Sequence, residues 1–370
     1  MKTWLSRIVC APILAATVAL AACNGGPAES LGAQPSPATR GHLRDAGSSS
    51  CLSMTCVYIY SRHENHPFNS EITSYASTAS GHVQPLARIS GYRTRMDNAG
   101  VSMGVAVGSD YKIYVAGQTQ TTSHTSDVNV YAAGANGNAS PIATISGSNT
   151  GMISGGDVHV AVDNDGNIYV ASNSGYGTGG AITVYAAGAN GNVAPIQAIS
   201  GSDTGLTQPE GIAVDSAHNI YVTNQGAPSV TVYAAGSNGN VAPIQEIEGS
   251  STQLGGSTGA YFPVGMAIDS ADNIYVTIYV HAVLVFAAGA TGNVAPIRAI
   301  SGGNTDLQRV TGVALDPSDN IYVTNSGSNF VPSWVAVFQA GANGNVSPIQ
   351  VIEGAKTHLR HDTSNGIAVR

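Results

Sequence analysis

The feature of this sequence that most limits its fold is internal repetition: six copies of one unit run from about residue 55 to residue 370. One copy reads Gly211-Ile-Ala-Val-Asp-Ser-Ala-His-Asn-Ile-Tyr-Val-Thr-Asn224, then Val230-Thr-Val-Tyr-Ala-Ala-Gly-Ser-Asn-Gly-Asn-Val-Ala-Pro-Ile-Gln-Glu-Ile-Glu-Gly249. It holds four short β-rich segments, here A (Gly211–Asp215), B (Asn219–Asn224), C (Val230–Ala234) and D (Ala242–Glu248). Prolines in D mark the period: Pro85, Pro141, Pro195, Pro243, Pro296 and Pro348 lie 56, 54, 48, 53 and 52 residues apart. Each unit therefore has the size of a four-stranded propeller blade, and proline in the first residues of D suits an outer edge strand.

Turn chemistry agrees. C and D are joined through Asn136-Gly137, Asn190-Gly191, Asn238-Gly239 and Asn343-Gly344, with Thr291-Gly292 and Ser80-Gly81 as variants; Asn-Gly tolerates positive φ and suits a tight hairpin. A and B are joined by Asp163–Asn167, Asp215–Asn219, Asp269–Asn273 and Asp316–Asn320. Strand A alternates small and branched residues, as expected near a crowded axis. Strand B, as in Ile220-Tyr221-Val222, is apolar on both faces, as in a sheet held between two others. A segments start at Gly104, His159, Gly211, Gly265, Gly312 and Gly366, yet the domain opens on a B segment, Cys56–Ser61. A ring resolves the mismatch. The predicted fold is an all-β, six-bladed β-propeller of four-stranded blades, closed by the C-terminal strand Gly366–Arg370 joining the N-terminal blade.

The run Gly-Ile-Ala-Val-Asp…Asn-Ile-Tyr-Val-Thr-Asn resembles the NHL repeat, over residues from about 55 to 370. The resemblance implies the propeller architecture. NHL-like propellers bind protein, bind RNA or carry enzymes, so function must be argued from the site. RNA-binding members present basic surfaces, whereas this chain has 14 Lys and Arg against 22 Asp and Glu, a net charge of −8. No nucleic-acid partner is expected.

The N-terminus reads as a targeting segment. Lys2 and Arg7 precede an apolar stretch from Ile8 to Ala22, too short for an ordinary spanning helix. Leu20-Ala21-Ala22-Cys23 resembles a bacterial lipobox, which implies lipidation of Cys23 and a signal peptide over residues 1–22. Asn24 after the cysteine implies, by resemblance to enterobacterial sorting rules, the outer membrane. Residues 23–50 are rich in Gly, Ser, Ala and Pro and read as a flexible tether; the propeller is expected over 51–370. Export places Cys51 and Cys56 in an oxidising compartment, where a short-loop disulfide or two free thiols are the alternatives.

The A–B and C–D turns fall on one face of a propeller and the D–A and B–C loops on the other. The first set is nearly uniform along this chain, whereas the second differs in every blade. Tyr92-Arg93-Thr94-Arg95, Gly175-Tyr176-Gly177, Tyr261-Phe262-Pro263, Phe330-Val331-Pro332-Ser333-Trp334 and His358–Asp362 belong to the variable face. Arg93, Tyr176, Tyr261, Phe262, Phe330 and Trp334 are its ligand-binding candidates, because aromatics and Arg dominate binding energy at interfaces; neutral loop drift is the alternative.

His159 stands where the other A strands carry Gly, so its side chain is expected in the central channel. Glu210, Asp157 and Asn365 fall nearby in register. His159 and Glu210 are the catalytic candidates, and Asp157, Glu210 and Asn365 the metal-ligating ones, in the manner of six-bladed lactonases. Met103, Val264 and Thr311 at equivalent positions are poor ligands, so a hydrogen-bonded channel histidine is the favoured reading. Asp163-Asn-Asp-Gly-Asn167 has the opening of a calcium loop but sits in the repeated A–B turn without the later Glu, and reads as structural. Gly255-Gly-Ser-Thr-Gly259 matches a nucleophile elbow without its strand and helix, a chance match. No cofactor is expected. The sequence points to a monomeric, non-enzymatic, lipid-anchored scaffold for a protein or glycan partner; the alternative is a lactonase-like or lyase-like enzyme at the channel mouth.

Overall fold

The computed structural model describes residues 50–61, 70–96, 104–118, 125–175, 179–255, 261–327, 331–359 and 364–370. Cys23, the signal peptide, nearly all of the tether, Tyr176, Phe330 and the side chain of Asn365 lie outside the described residues.

The strands form six four-stranded antiparallel sheets. Blade 1 contains β1 (Cys56–Ser61), β2 (Glu71–Ala76) and β3 (Ala87–Ser90); blade 2 contains β4 (Val105–Val107), β5 (Ile113–Gln118), β6 (Ser126–Tyr131) and β7 (Ala143–Ser146). Blade 3 is β8 (Val158–Val162), β9 (Ile168–Asn173), β10 (Gly180–Tyr185) and β11 (Gln197–Ser200). Blade 4 is β12 (Pro209–Val214), β13 (Ile220–Asn224), β14 (Ser229–Tyr233) and β15 (Gln245–Glu248). Blade 5 is β16 (Pro263–Ile268), β17 (Ile274–Ile278), β18 (Ala282–Phe286) and β19 (Arg298–Ser301). Blade 6 is β20 (Val310–Leu315), β21 (Ile321–Asn325), β22 (Trp334–Phe338) and β23 (Gln350–Ile352). The last strand, β24 (Ser364–Val369), supplies the inner strand of blade 1 and pairs with β1 from Val57 to Ser61. Ring closure by the C-terminal strand is therefore as expected, and Cys51 and Cys56 form a disulfide beside it.

The B and C strands are buried on both faces because each sheet is covered by its two neighbours. The largest fully buried side chains are aromatic: Tyr75, Tyr131, Tyr185, Tyr233, Phe286 and Phe338 from the C strands among them. D is shorter than its sequence pattern. In every blade the strand begins two residues after the proline, so Pro243 precedes β15, and the exposed Ile244 between them already donates its N–H to Val232. Leu86, Ile142, Ile196, Ile244, Ile297 and Ile349 form an exposed aliphatic belt at these positions.

The Asn-Gly-Asn turns do more than reverse the chain. Gly137 bridges Ile89 of the preceding blade, and the same parallel bridge recurs at Gly191, Gly239, Gly292 and Gly344, and at Gly81 against Ile352. The first Asn accepts from the neighbouring D strand, as Asn136 does from Arg88 N–H at 2.9 Å. The second Asn accepts from the neighbouring D–A loop, as Asn192 does from Asn149 N–H at 2.8 Å. A Cβ on Gly147 would lie 2.5 Å from the Asn192 side chain, which is why glycine opens the loop there.

The D–A loops are less variable than their sequences suggest. Each opens with Gly-x-x-Thr-x-Leu or Met: the buried Thr94, Thr150, Thr204, Thr252, Thr305 and Thr357 each donate a hydroxyl to the glycine carbonyl three residues earlier. The next blade's C-strand tyrosine caps the threonine carbonyl in four places, Tyr185 onto Thr150 at 2.5 Å among them. Tyr92 to Arg95, and His358 with Leu359, thus belong to a constant scaffold, and the loops diverge only beyond it.

Candidate functional site

Two places on the propeller concentrate polar chemistry or half-buried loop aromatics. The first is the axis. Gly104, His159, Gly211, Gly265, Gly312 and Gly366 line a cavity of about 70 Å³ together with the next residue of each A strand. Glycine recurs because the A strands nearly touch: a Cβ on Gly211 would lie 2.5 Å from the Val264 carbonyl oxygen. Blades 4, 5 and 6 pair this glycine with a threonine. The Thr223 hydroxyl accepts from Gly211 N–H at 2.8 Å and donates to the Val264 carbonyl at 2.7 Å, beside a register shift in β12. Blade 3 replaces both residues at once. His159 faces Ala171 in a regular ladder, the alanine that blade 2 also carries, as Ala116, opposite Gly104.

His159 reaches toward blade 4. Its Nε2 lies 3.2 Å from Glu210 Oε2, and both side chains are under a tenth exposed. Burial and the neighbouring Asp157 carboxylate push the Glu210 carboxyl up to about 7, against the opposing pull of His159. Asp157 is held by its backbone, its N–H donating to Asn173 Oδ1 at 3.1 Å. The structure thus brings together three of the channel residues named from sequence. A carboxyl that titrates near neutrality beside an imidazole can pass a proton. The donor set comes from two neighbouring blades; the other A strands carry glycine at the His159 position, and blades 5 and 6 carry Val264 and Thr311 at the Glu210 position.

Asp163, Asp165 and His218 also converge, with His218 Nδ1 3.3 Å from Asp163 Oδ2 and Nε2 3.6 Å from Asp165 Oδ2. Asp163 is already engaged: Oδ1 accepts from Asp165 and Asn167 N–H, and Oδ2 from Asn167 Nδ2 and the Tyr169 hydroxyl. Asp215, Asp269 and Asp316 accept the same set from their own turns. The carboxylate is therefore the organiser of an A–B turn.

The second place is the loop face of blade 5. Phe262 lies stacked on Tyr279, centroids 5.0 Å apart and planes 9° apart. Tyr261 meets His281 edge to face at 4.8 Å. One member of each pair comes from the D–A loop and the other from the B–C hairpin Tyr279-Val280-His281, which the sequence reading missed. Arg309, at the entry to blade 6, donates Nε to the Tyr279 hydroxyl at 3.3 Å and Nη1 to the Gly327 carbonyl at 2.9 Å.

The other face candidates are placed differently. Arg93 is exposed, with its guanidinium over the Tyr92 ring and its N–H donating to Asn138. Trp334 is a correction: it is not a loop residue but the first residue of β22, 7% exposed, its indole N–H donating to the Asp306 carbonyl at 3.2 Å. C strands are covered on both faces, so an aromatic that enters one becomes core.

Residues 251–277 match the family model described as a beta-propeller repeat. No curated protein matches the sequence. Among solved structures, the chain is similar to a protein of unknown function from Bacteroides caccae, at 11% identity and a TM-score of 0.54, covering 86% of this chain and 99% of that one. It is similar to a protein from Lactobacillus plantarum at 13% identity, TM-score 0.52, over 81% and 82% of the two chains. A periplasmic gluconolactonase from Pseudomonas aeruginosa is similar at 14% identity, TM-score 0.53, over 80% and 82%. At these identities the likeness concerns the fold.

Proposed function

We propose that this propeller is a lipid-anchored, non-enzymatic binding scaffold of the bacterial cell envelope that holds a protein or glycan partner on its D–A and B–C loop face. The observation that carries the reading is the blade 5 cluster, in which Tyr261, Phe262, Tyr279 and His281 are paired ring to ring beside Arg309. Rings already ordered by one another lose little freedom on binding, and aromatic and Arg side chains contribute most at interfaces. The lipobox-like Leu20–Cys23 supports the anchor. Two measurements test the proposal. Cys23→Ser should abolish fatty-acid labelling and release the protein from membranes; unchanged partitioning defeats the anchor. Tyr279→Ala should weaken capture of any identified partner by tenfold or more, and full retention defeats the assignment of the face.

A second reading, a lactonase-like or lyase-like enzyme, is favoured by one observation: Glu210 titrates near 7 within hydrogen-bonding distance of His159 at the axis. It predicts that His159→Gly lowers turnover of a lactone substrate about 10²-fold or more, whereas the scaffold reading predicts no turnover to lower.

A further inference from the structure

We infer that the blade 5 cluster is a saccharide site selective for a carboxylated sugar such as a uronic acid, an inference that rests on the binding reading above. The hairpin between β17 and β18 has three residues, where the corresponding hairpin between β13 and β14 has four. The shorter connection forces Val280 to φ 96°, the largest positive value of any described residue other than glycine. A β-branched residue there is strained, and strain of this kind gathers where a geometry is functionally constrained. The consequence is local. The hairpin holds Tyr279 against Phe262 on one side and His281 against Tyr261 on the other.

Arg309 locks onto this hairpin. Its N–H donates to the Val280 carbonyl at 2.9 Å, and its guanidinium is fixed by the Tyr279 hydroxyl and the Gly327 carbonyl. Nη2 has no acceptor among the described residues. An exposed, oriented guanidinium whose Nη2 donates to no described residue suits a carboxylate, which it can engage through a charge-assisted bond. In a chain of net charge −8 such a cation gives local charge complementarity to an anion.

The aromatic rings decide the rest of the ligand. Sugars offer patches of C–H groups that lie against ring faces, and small-ligand sites combine aromatic walls with a few placed polar groups. A protein partner would need a broad apolar centre. The exposed aliphatic residues gather on the opposite side, after the D-segment prolines, whereas Val331 is the exposed large aliphatic residue of the described loop face.

The test is calorimetric titration of the full mature chain with an oligogalacturonate and with its methyl ester, which keeps the sugar rings and removes the charge. Wild type should bind the acid at least tenfold more tightly than the ester. Arg309→Met, at an exposed position, should bind both forms alike at the level of the ester. Tyr279→Ala should weaken both, and Tyr279→Phe, which keeps the stack, should retain binding of the ester. Equal affinity of wild type for acid and ester, or an unchanged preference in Arg309→Met, overturns the inference. If neither form binds while Tyr279→Ala abolishes capture of a protein partner, the saccharide inference falls and the scaffold reading stands. If Tyr279→Ala changes no interaction at all, both fall.

Discussion

Gly81 of blade 1 and Ile352 of blade 6 form a parallel bridge: Gly81 N–H donates to the Val351 carbonyl at 2.6 Å, and Glu353 N–H donates back to Gly81 at 3.3 Å. The two ends of the repeat array are thereby joined at the outer rim as well as through β24 near the axis.

Removing Ser364–Arg370 tests the inner closure. Ile367 is 8% exposed, while Val369 is only half-buried. Losing a buried isoleucine costs about 1.5–3 kcal/mol, and an unpaired β1 edge adds a route to aggregation. The truncated chain should melt well below the full chain or aggregate, as read by calorimetry and light scattering; identical melting would show that β24 carries no core contact.

The outer closure has an odd member. Five junctions use an Asn to accept a D–A loop N–H, whereas the junction of blades 6 and 1 has His82 packed against Gly354. His82→Asn places the amide of the other junctions opposite Lys356 N–H. The expected gain is about 1 kcal/mol, seen as a higher denaturant midpoint with an unchanged slope. A lower midpoint would mean that the histidine makes a better contact than the amide.

Stability should depend on pH through buried carboxyls. Glu210 rises from 4.5 to about 7, and Asp127, buried in β6 with Asn129 as a partner, rises from 3.8 to about 7. Burial is the main cause in both. A raised carboxyl means that the folded state holds a proton the unfolded chain has released, so stability is greatest at low pH in this window and declines as pH climbs toward 7 and beyond. Urea titrations across pH 4.5 to 8 should show that decline, and Glu210→Gln should make it shallower. An unchanged slope in the variant would show that Glu210 is ionised throughout.

Trp334→Ala should act on folding. A buried Trp to Ala change typically costs about 3–5 kcal/mol, and here it also leaves the Asp306 carbonyl without its indole donor. The midpoint in urea should fall accordingly. Wild-type stability would contradict its placement in β22.

Much of the fold was legible because its signals are local. Tyr58, Tyr114, Tyr169, Tyr221, Tyr275 and Tyr322 mark six B strands, the missing A segment at the start forces a ring, and His159 stands out against five glycines. The inter-blade contacts were not legible. Asn136 reads as a turn residue from its own neighbours, and its bond to Arg88 spans 48 positions. Of the blade 5 cluster, Tyr261 and Phe262 were visible as loop aromatics. Tyr279, His281 and Arg309 were not, because a left-handed Val280 has no signature in sequence and the hairpin resembled the end of a strand. Trp334 was misplaced because the end of a loop and the start of a covered strand look alike when both are aromatic and Ser-rich.

The rim bridges bear on how such an array comes apart. An open stack of repeats can fray, its terminal unit peeling off first because it has a neighbour on one side only. Here every blade has two neighbours, and the bond from Gly81 to Val351 leaves no terminal unit to peel. Releasing any blade must break two inter-blade junctions, where the end unit of an open stack needs only one, so the propeller should resist gradual unravelling and unfold as a single cooperative unit.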